Sequence, residues 1–184
     1  ISAEQKIETV LNWLKLPEDK RPHLITFYLS EPDHAGHVHG PDAPQTEQAV
    51  KDVDETIYKL TEAVKTTGLP VNFVFVSDHG MTAVDRENPL AIPAAVDPLK
   101  FRISSSGTMV DLLAHDKADV KPLYAKLKAE QKDYRVYLKN KLPRKYHYRK
   151  RDDRMNRIGD ILLIPTWPRV FAKGKPGAGY HGFD

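Results

Sequence analysis

Acid and imidazole side chains occur in two close pairs in this sequence, and a further histidine stands near its end. Asp33 and His37 are four residues apart, so one turn of helix would place both side chains on the same face. Asp78 and His79 are adjacent, and they can share an ion only where a strand gives way to a turn, which the glycine that follows them permits. His181 lies in a glycine-rich stretch. These five side chains are candidate metal ligands.

Each feature alone has an ordinary structural explanation, because a single Asp-x-x-x-His spacing is common by chance and an Asp at a strand end often caps the next turn. Their coincidence favours a metal site. The sequence contains no cysteine, which excludes disulfides, thiolate zinc sites and a cysteine nucleophile. Carboxylate and imidazole ligands suit a zinc ion that keeps an open coordination position, and that is the catalytic arrangement.

The elements that must position these side chains are two short apolar runs, residues 24–29 and residues 71–76, each ending just before one acid–imidazole pair. Between them, residues 50–64 carry apolar side chains at steps of three and four, which predicts a helix. Strand, helix and strand form a βαβ unit, so we expect the two strands to be parallel and buried on both faces. Ligands gather beyond the carboxyl ends of such strands, where both pairs fall.

Other elements are indicated more weakly. Ser2 and Gln5 fit a capping box that begins a helix, which Pro17 ends. Residues 30–44 and the glycine-rich tail, residues 174–182, are expected to be loops. The remaining predictions are strands at residues 108–113, 135–138 and 160–164 and a helix at residues 120–131. No repeat or linker divides the chain, which predicts one domain or part of one.

Composition limits the classes of protein that the chain can represent. Forty per cent of the 184 residues are hydrophobic, which excludes wholesale disorder. A net charge of +3 does not by itself argue for nucleic-acid binding. The longest apolar runs are far too short to span a bilayer. The N-terminus, which begins at Ile1, shows no signal-peptide pattern, and we expect a processed product or a portion of a longer chain.

One stretch of the sequence is much more basic than the chain as a whole. Residues 139–157 contain nine Lys or Arg and two Asp, a local charge of +7. Such a stretch would steer anionic substrates or nucleic acid, or it is a solvated loop that crosses the domain surface. We favour the solvated loop, with nucleic acid expected only as a substrate.

Three motifs in order resemble the nucleotide pyrophosphatase/phosphodiesterase family of the alkaline phosphatase superfamily. They are Glu-Pro-Asp-His-Ala-Gly-His with Gly-Pro at residues 31–41, Val-Ser-Asp-His-Gly-Met at residues 76–81, and Gly-Tyr-His-Gly-Phe-Asp at residues 179–184. Leu-Pro at 142–143, His-Tyr at 147–148 and Arg-Ile-Gly-Asp-Ile at 157–161 also resemble that family's segment between the second and third motifs. The resemblance covers nearly the whole chain.

The resemblance implies an α/β fold, namely an alkaline-phosphatase-like three-layer α/β/α sandwich with a mostly parallel sheet, of which residues 1–184 form the C-terminal portion of a single catalytic domain. It implies two zinc ions. Asp33, His37 and His181 would hold one ion, and Asp78 and His79 the other. The family's Thr or Ser nucleophile and a further Asp ligand have no equivalent here, so we expect them on an upstream segment of the same domain, and no catalytic nucleophile in this chain.

The activity implied by the resemblance is hydrolysis of phosphodiester or pyrophosphate bonds in nucleotides through a covalent nucleotidyl-enzyme. A phosphomonoesterase or phosphonate hydrolase of the same superfamily would use much the same ligands, and a non-catalytic metal-binding scaffold is the alternative outside enzymes. The expected partners are the phosphodiester substrate and the N-terminal portion of the domain. The resemblance suggests a periplasmic or extracellular location.

Overall fold

The structure is a computed structural model that describes residues 1–148 and 153–183. The chain divides into two compact units, Ile1–Gly80 and Met81–Asp184. The first unit is helical, and the second contains the sheets. None of the described helices is long and apolar enough to cross a membrane.

Three helices form the first unit, and they are α1 (Ala3–Leu14), α2 (Asp33–His39) and α3 (Pro44–Lys65). Helix α1 begins with the predicted capping box, in which the Ser2 hydroxyl accepts from the Gln5 N–H and the Gln5 side chain accepts from the Ser2 N–H. Helix α3 is longer than the predicted helix and has Pro44 in its first turn, where a missing N–H costs nothing. Helices α1 and α3 pack together through five buried side chains, Ile7, Val10, Leu14, Leu60 and Val64.

The two predicted parallel strands, residues 24–29 and 71–76, are not strands of a sheet in the described part of the chain. Ile25 and Phe27 pack against the core formed by α1 and α3, whereas Leu24 is 83% exposed and Val76 is 87% exposed. The expectation of parallel strands buried on both faces is therefore wrong for the described part of the chain. A β-strand exists only when a neighbouring strand completes its hydrogen bonds, and no described strand pairs with either segment.

An antiparallel sheet of four strands lies at the centre of the second unit, in the order β2–β3–β5–β4. The strands are β2 (Phe101–Ser105), β3 (Val110–Ala114), β4 (Tyr134–Leu138) and β5 (Ile161–Pro165), and helix α4 (Val120–Glu130) lies between β3 and β4 in the chain. A second ladder joins the two-residue strands β1 (Thr82–Ala83) and β6 (Gly179–Tyr180). The predicted strands at 108–113, 135–138 and 160–164 and the predicted helix at 120–131 correspond to β3, β4, β5 and α4, within two residues at each end.

One face of the four-stranded sheet packs against α4 and carries the core of this unit. Val110, Val136 and Leu163 come from adjacent strands in register and are fully buried. Leu123 and Leu127, one helical turn apart, bring α4 onto this face. The sheet and α4 are therefore held together by these buried apolar side chains.

A buried ion pair stabilises the segment that connects β4 and β5. The Lys139 ammonium contacts the Asp153 carboxylate, whose side chain is only 4% exposed. Asp153 also accepts hydrogen bonds from the backbone N–H groups of Arg157, at 2.8 Å, and Ile158, at 3.0 Å. The hydrogen bond from Lys139 lowers the pKa of Asp153 from 3.8 to about 2, with smaller contributions from the two N–H groups. Burial acts in the opposite direction on nearby Asp111, whose pKa is raised.

Candidate metal centre

Asp33 and His37 are carried by α2, which begins directly after residues 24–29. The helix forms inside a stretch expected to be loop because the Glu31 carboxylate accepts from the Ala35 N–H at 3.0 Å and satisfies a free donor of the first turn. It ends at Gly40, whose φ of 97° is left-handed and suits glycine. The prediction that one helical turn places the two side chains together is confirmed.

The geometry of this first pair suits the binding of a cation. The Nε2 atom of His37 is 3.5 Å from the Oδ1 atom of Asp33, and the two side chains are 34% and 43% exposed. The donor atoms therefore face each other, and the two side chains as wholes are partly exposed although the Oδ1 atom of Asp33 is itself buried. The other two histidines of α2, His34 and His39, are exposed.

A buried hydroxyl group joins α2 to the start of α3. Thr46 is 7% exposed and donates to the carbonyl oxygen of Gly40 at 2.7 Å. Because this bond ties the end of α2 to the long helix, the two candidate ligands sit on an element whose far end is fixed. The sequence predicts no structural role for Thr46 or for Glu31, although Glu31 belongs to the first of the three motifs.

Asp78 and His79 lie at a bend that follows residues 71–76, as the sequence predicts. The Asp78 Oδ1 atom accepts from the His79 N–H at 3.0 Å, and its Oδ2 atom is 3.4 Å from the His79 Nε2 atom. The His79 Nδ1 atom is 3.1 Å from the carbonyl oxygen of Gly80. A ring that donates from Nδ1 to that carbonyl keeps the lone pair of Nε2 for a metal ion.

The two pairs are neighbours within the unit Ile1–Gly80. A carboxylate oxygen of Asp33 lies within 4.8 Å of a ring nitrogen of His79. Asp33 and His79 are 46 positions apart in the sequence, yet they approach closely enough to coordinate the same ion, or two ions side by side.

His181, the fifth candidate, belongs to the second unit and follows β6 directly. The register of the β1–β6 ladder pairs Tyr180, the residue before it, with Thr82. Part of the tail expected to be loop is therefore a short strand. The assignment of His181 to the first ion stays a prediction.

The basic stretch is described only in part. Four of its residues, Arg149, Lys150, Arg151 and Asp152, lie outside the described residues. Lys139 is engaged by Asp153, and Lys145 contacts the ring of Tyr146 with its ammonium 5.3 Å from the ring centroid. These contacts are what a loop attached to the domain surface would make.

Comparison with known proteins identifies the family. The family model for type I phosphodiesterase/nucleotide pyrophosphatase matches residues 1–184. The chain belongs to this family, as its motifs predict. It is 29% identical to a bis(5'-adenosyl)-triphosphatase (ENPP4) of Bos taurus and 32% identical to an ectonucleotide pyrophosphatase/phosphodiesterase of Caenorhabditis elegans, in each case over 100% of this chain.

The fold is that of solved members of the family. Human ectonucleotide pyrophosphatase/phosphodiesterase 5 superposes with a TM-score of 0.86 at 23% identity, and the murine protein with 0.82 at 25% identity. The alkaline-phosphatase-like α/β class predicted from the motifs is confirmed. This chain spans 49% of each solved chain, and 40% and 24% of the two curated relatives.

Proposed function

We propose that the complete protein hydrolyses phosphodiester or pyrophosphate bonds in nucleotides with two zinc ions, and that this chain supplies five of the ligands. The observation that carries the proposal is the approach of Asp33 to His79, within 4.8 Å, where two acid–imidazole pairs adjoin. The family membership supports the interpretation of this cluster as a metal site.

The donor set fits zinc, since it offers carboxylate and imidazole atoms and no thiolate. Asp33, His37 and His181 would hold one ion, and Asp78 and His79 the other. Two bound zinc ions would supply positive charge that stabilises the attacking and leaving oxygens of a displacement at phosphorus.

The residues of this chain prepare the site in three ways. The helix cap by Glu31 and the Thr46 bond fix α2, so Asp33 and His37 keep their relative positions. The carbonyl of Gly80 selects the ring tautomer of His79. The partial exposure of these ligands leaves space for a phosphate group beside them.

The nucleophile would come from another part of the protein. We propose that residues 1–184 form the C-terminal portion of the catalytic domain, and that an upstream segment supplies the Thr or Ser nucleophile, which forms the covalent nucleotidyl-enzyme, and a further Asp ligand. Residues 24–29 and 71–76 support this proposal because they are largely apolar, yet alternate residues of the first segment and every residue of the second are exposed. Strands of the remaining portion would complete their hydrogen bonds and cover these side chains.

The relatives indicate the substrate class and the location. One is named a bis(5'-adenosyl)-triphosphatase, and one solved murine relative is an inactive form in complex with AMP. A nucleotide with a phosphodiester or phosphoanhydride bond is therefore the substrate that we propose here. Several relatives are named ectonucleotide enzymes, which supports a location outside the cytoplasm, either periplasmic or extracellular.

A substrate comparison with the complete protein tests this function. We expect the p-nitrophenyl ester of a nucleoside 5'-phosphate to be cleaved at least tenfold faster, by kcat/KM, than p-nitrophenyl phosphate. Chelation should abolish turnover and zinc should restore it. Preference for the monoester would replace the diesterase assignment with a phosphomonoesterase, and activity that survives chelation would refute the zinc mechanism.

A further inference from the structure

The turn between β2 and β3 contacts the residues on both sides of His181. Gly107 in this turn has a φ of 86°, and a β-carbon added to it would lie 2.6 Å from Cε1 and 3.3 Å from Cδ1 of Tyr180. The ring of Tyr180 therefore rests directly on the backbone of the turn. No other residue type would leave room for the ring at this distance.

The second contact is on the other side of His181. Thr108 is 6% exposed, and a β-carbon added to Gly182 would lie 3.0 Å from its Oγ1 atom. Thr108 and Gly182 are thus packed at close range, and the φ of 85° at Gly182 gives the chain its direction there. The residues before and after His181 are both seated on the same turn.

The turn and the strand before His181 are themselves anchored. The carbonyl oxygen of Gly107 accepts from the Phe171 N–H at 2.8 Å, and Phe171 is part of the core. Tyr180 pairs with Thr82, whose hydroxyl accepts from the indole N–H of Trp167 at 3.1 Å. A small displacement of the His181 backbone would therefore have to disturb several packed groups.

We propose that Gly107 and Thr108 are positioning residues for His181, which they hold at the place where it binds zinc. The inference rests on the proposed function, because it assumes that His181 is a ligand. A metal ligand must be held within about 0.5 Å of its productive position. A loop with glycine at 177, 179 and 182 cannot supply that precision by itself, so the packed turn supplies it.

The test uses Gly107→Ala in the complete protein, with zinc affinity measured by competition with a chromogenic chelator. The added methyl group must displace the Tyr180 ring, so we expect affinity for one of the two ions to fall about tenfold or more, with kcat lowered and KM nearly unchanged. Gly68→Ala is the matched control. Gly68 also has a positive φ, of 68°, but a β-carbon there would contact nothing within 4 Å. We expect it to lose some stability and keep wild-type zinc affinity.

Two substitutions at Tyr180 repeat the test if Gly107→Ala fails to fold. Tyr180→Ala removes the ring that rests on the turn and should weaken zinc binding, whereas Tyr180→Phe keeps the ring carbons in contact with Gly107 and should restore it to within threefold of wild type. Wild-type zinc affinity in a folded Gly107→Ala or Tyr180→Ala protein would overturn the inference.

His181→Ala separates this inference from the function on which it rests. If His181→Ala loses one zinc ion but the variants of the turn do not, then only the positioning role is wrong. If His181→Ala itself retains both zinc ions and full activity, the proposed ligand set is wrong. The turn between β2 and β3 then has no role in metal binding.

Discussion

Individual residues in the candidate centre are held by contacts that favour one orientation of each donor atom. His79 is bonded through Nδ1 to a backbone carbonyl, and Asp78 accepts from the backbone N–H of its neighbour. His37 and Asp33 face each other across one helical turn. A site arranged in this way needs little reorganisation when an ion enters, and metal affinity depends strongly on such surrounding contacts.

His37→Ala should therefore differ sharply from His34→Ala, although the two residues are three apart on the same short helix. Removing a ligand costs several kcal/mol of transition-state stabilisation, so we expect a loss of about 100-fold or more in kcat/KM for His37→Ala. His34 is exposed and has no assigned role. Its substitution should leave kcat/KM within twofold, and equal effects of the two substitutions would contradict the ligand assignment.

Asp153 gives a prediction for stability against pH. Its pKa of about 2 in the folded protein is below its ordinary value of 3.8, so the carboxylate stabilises the fold above pH of about 4 and loses that contribution as the pH falls toward 2. Asp153→Asn should lower the melting temperature by several degrees at neutral pH. The difference from wild type should be constant down to pH of about 4 and then shrink. A difference that grows in acid would contradict this explanation.

Elements of secondary structure differ in how much of them the sequence could reveal. Helix α1 has a capping box and an apolar stripe, and its start was predicted correctly. Strand β2 was missed, because only Phe101 and Ile103 mark its alternation and its pairing with β3 defines it. Strand β6 has two residues, in a glycine-rich tail, and exists because Thr82 and Ala83 pair with it. Local sequence patterns do not show which distant strand a segment pairs with.

Residues 24–29 and 71–76 show the same limit in the opposite direction. Their continuous apolar pattern predicts strands that are covered on two faces, yet the described chain covers only one face of residues 24–29. Likewise, the spacing of Asp33 and His37 predicted their pairing, whereas the approach of Asp33 to His79 depends on the path of the chain through α3. The sequence contains no direct signal for that distance.

Hydrogen exchange on the complete protein tests whether these two segments are strands of a larger sheet. If neighbouring strands complete their hydrogen bonds, the amides of residues 71–76 should exchange as slowly as those of β5, which is paired on both sides. Exchange as fast as that of the exposed turn at residues 18–20 would show that no sheet forms there.

The packing of α1 on α3 is the main support of the helical unit. Leu14 is 7% exposed in the cluster between them. Leu14→Ala should lower the free energy of unfolding by about 3 kcal/mol, because it leaves a cavity in that cluster. Val50→Ala is the control, because Val50 lies on α3 and is 49% exposed. We expect it to change the free energy of unfolding by no more than about 0.5 kcal/mol. Urea denaturation would measure both, and equal losses would contradict the packing described here.

At the scale of the whole molecule, the chain represents about half of the solved chains that share its fold. The candidate ligands that it carries come from three separate places in the sequence, and the nucleophile that we propose comes from a fourth. An active site assembled from such distant segments depends on the complete domain, so activity is expected of the complete protein. The family motifs could be recognised from sequence because metal chemistry restricts which residue types they contain.

Anomalous diffraction from crystals of the complete protein, recorded on both sides of the zinc absorption edge, shows whether these side chains bind two zinc ions. We expect two zinc peaks, one bound by Asp33, His37 and His181 and the other by Asp78 and His79. Zinc that is bound elsewhere, or no zinc peak beside these five side chains in crystals grown with the metal, would contradict it.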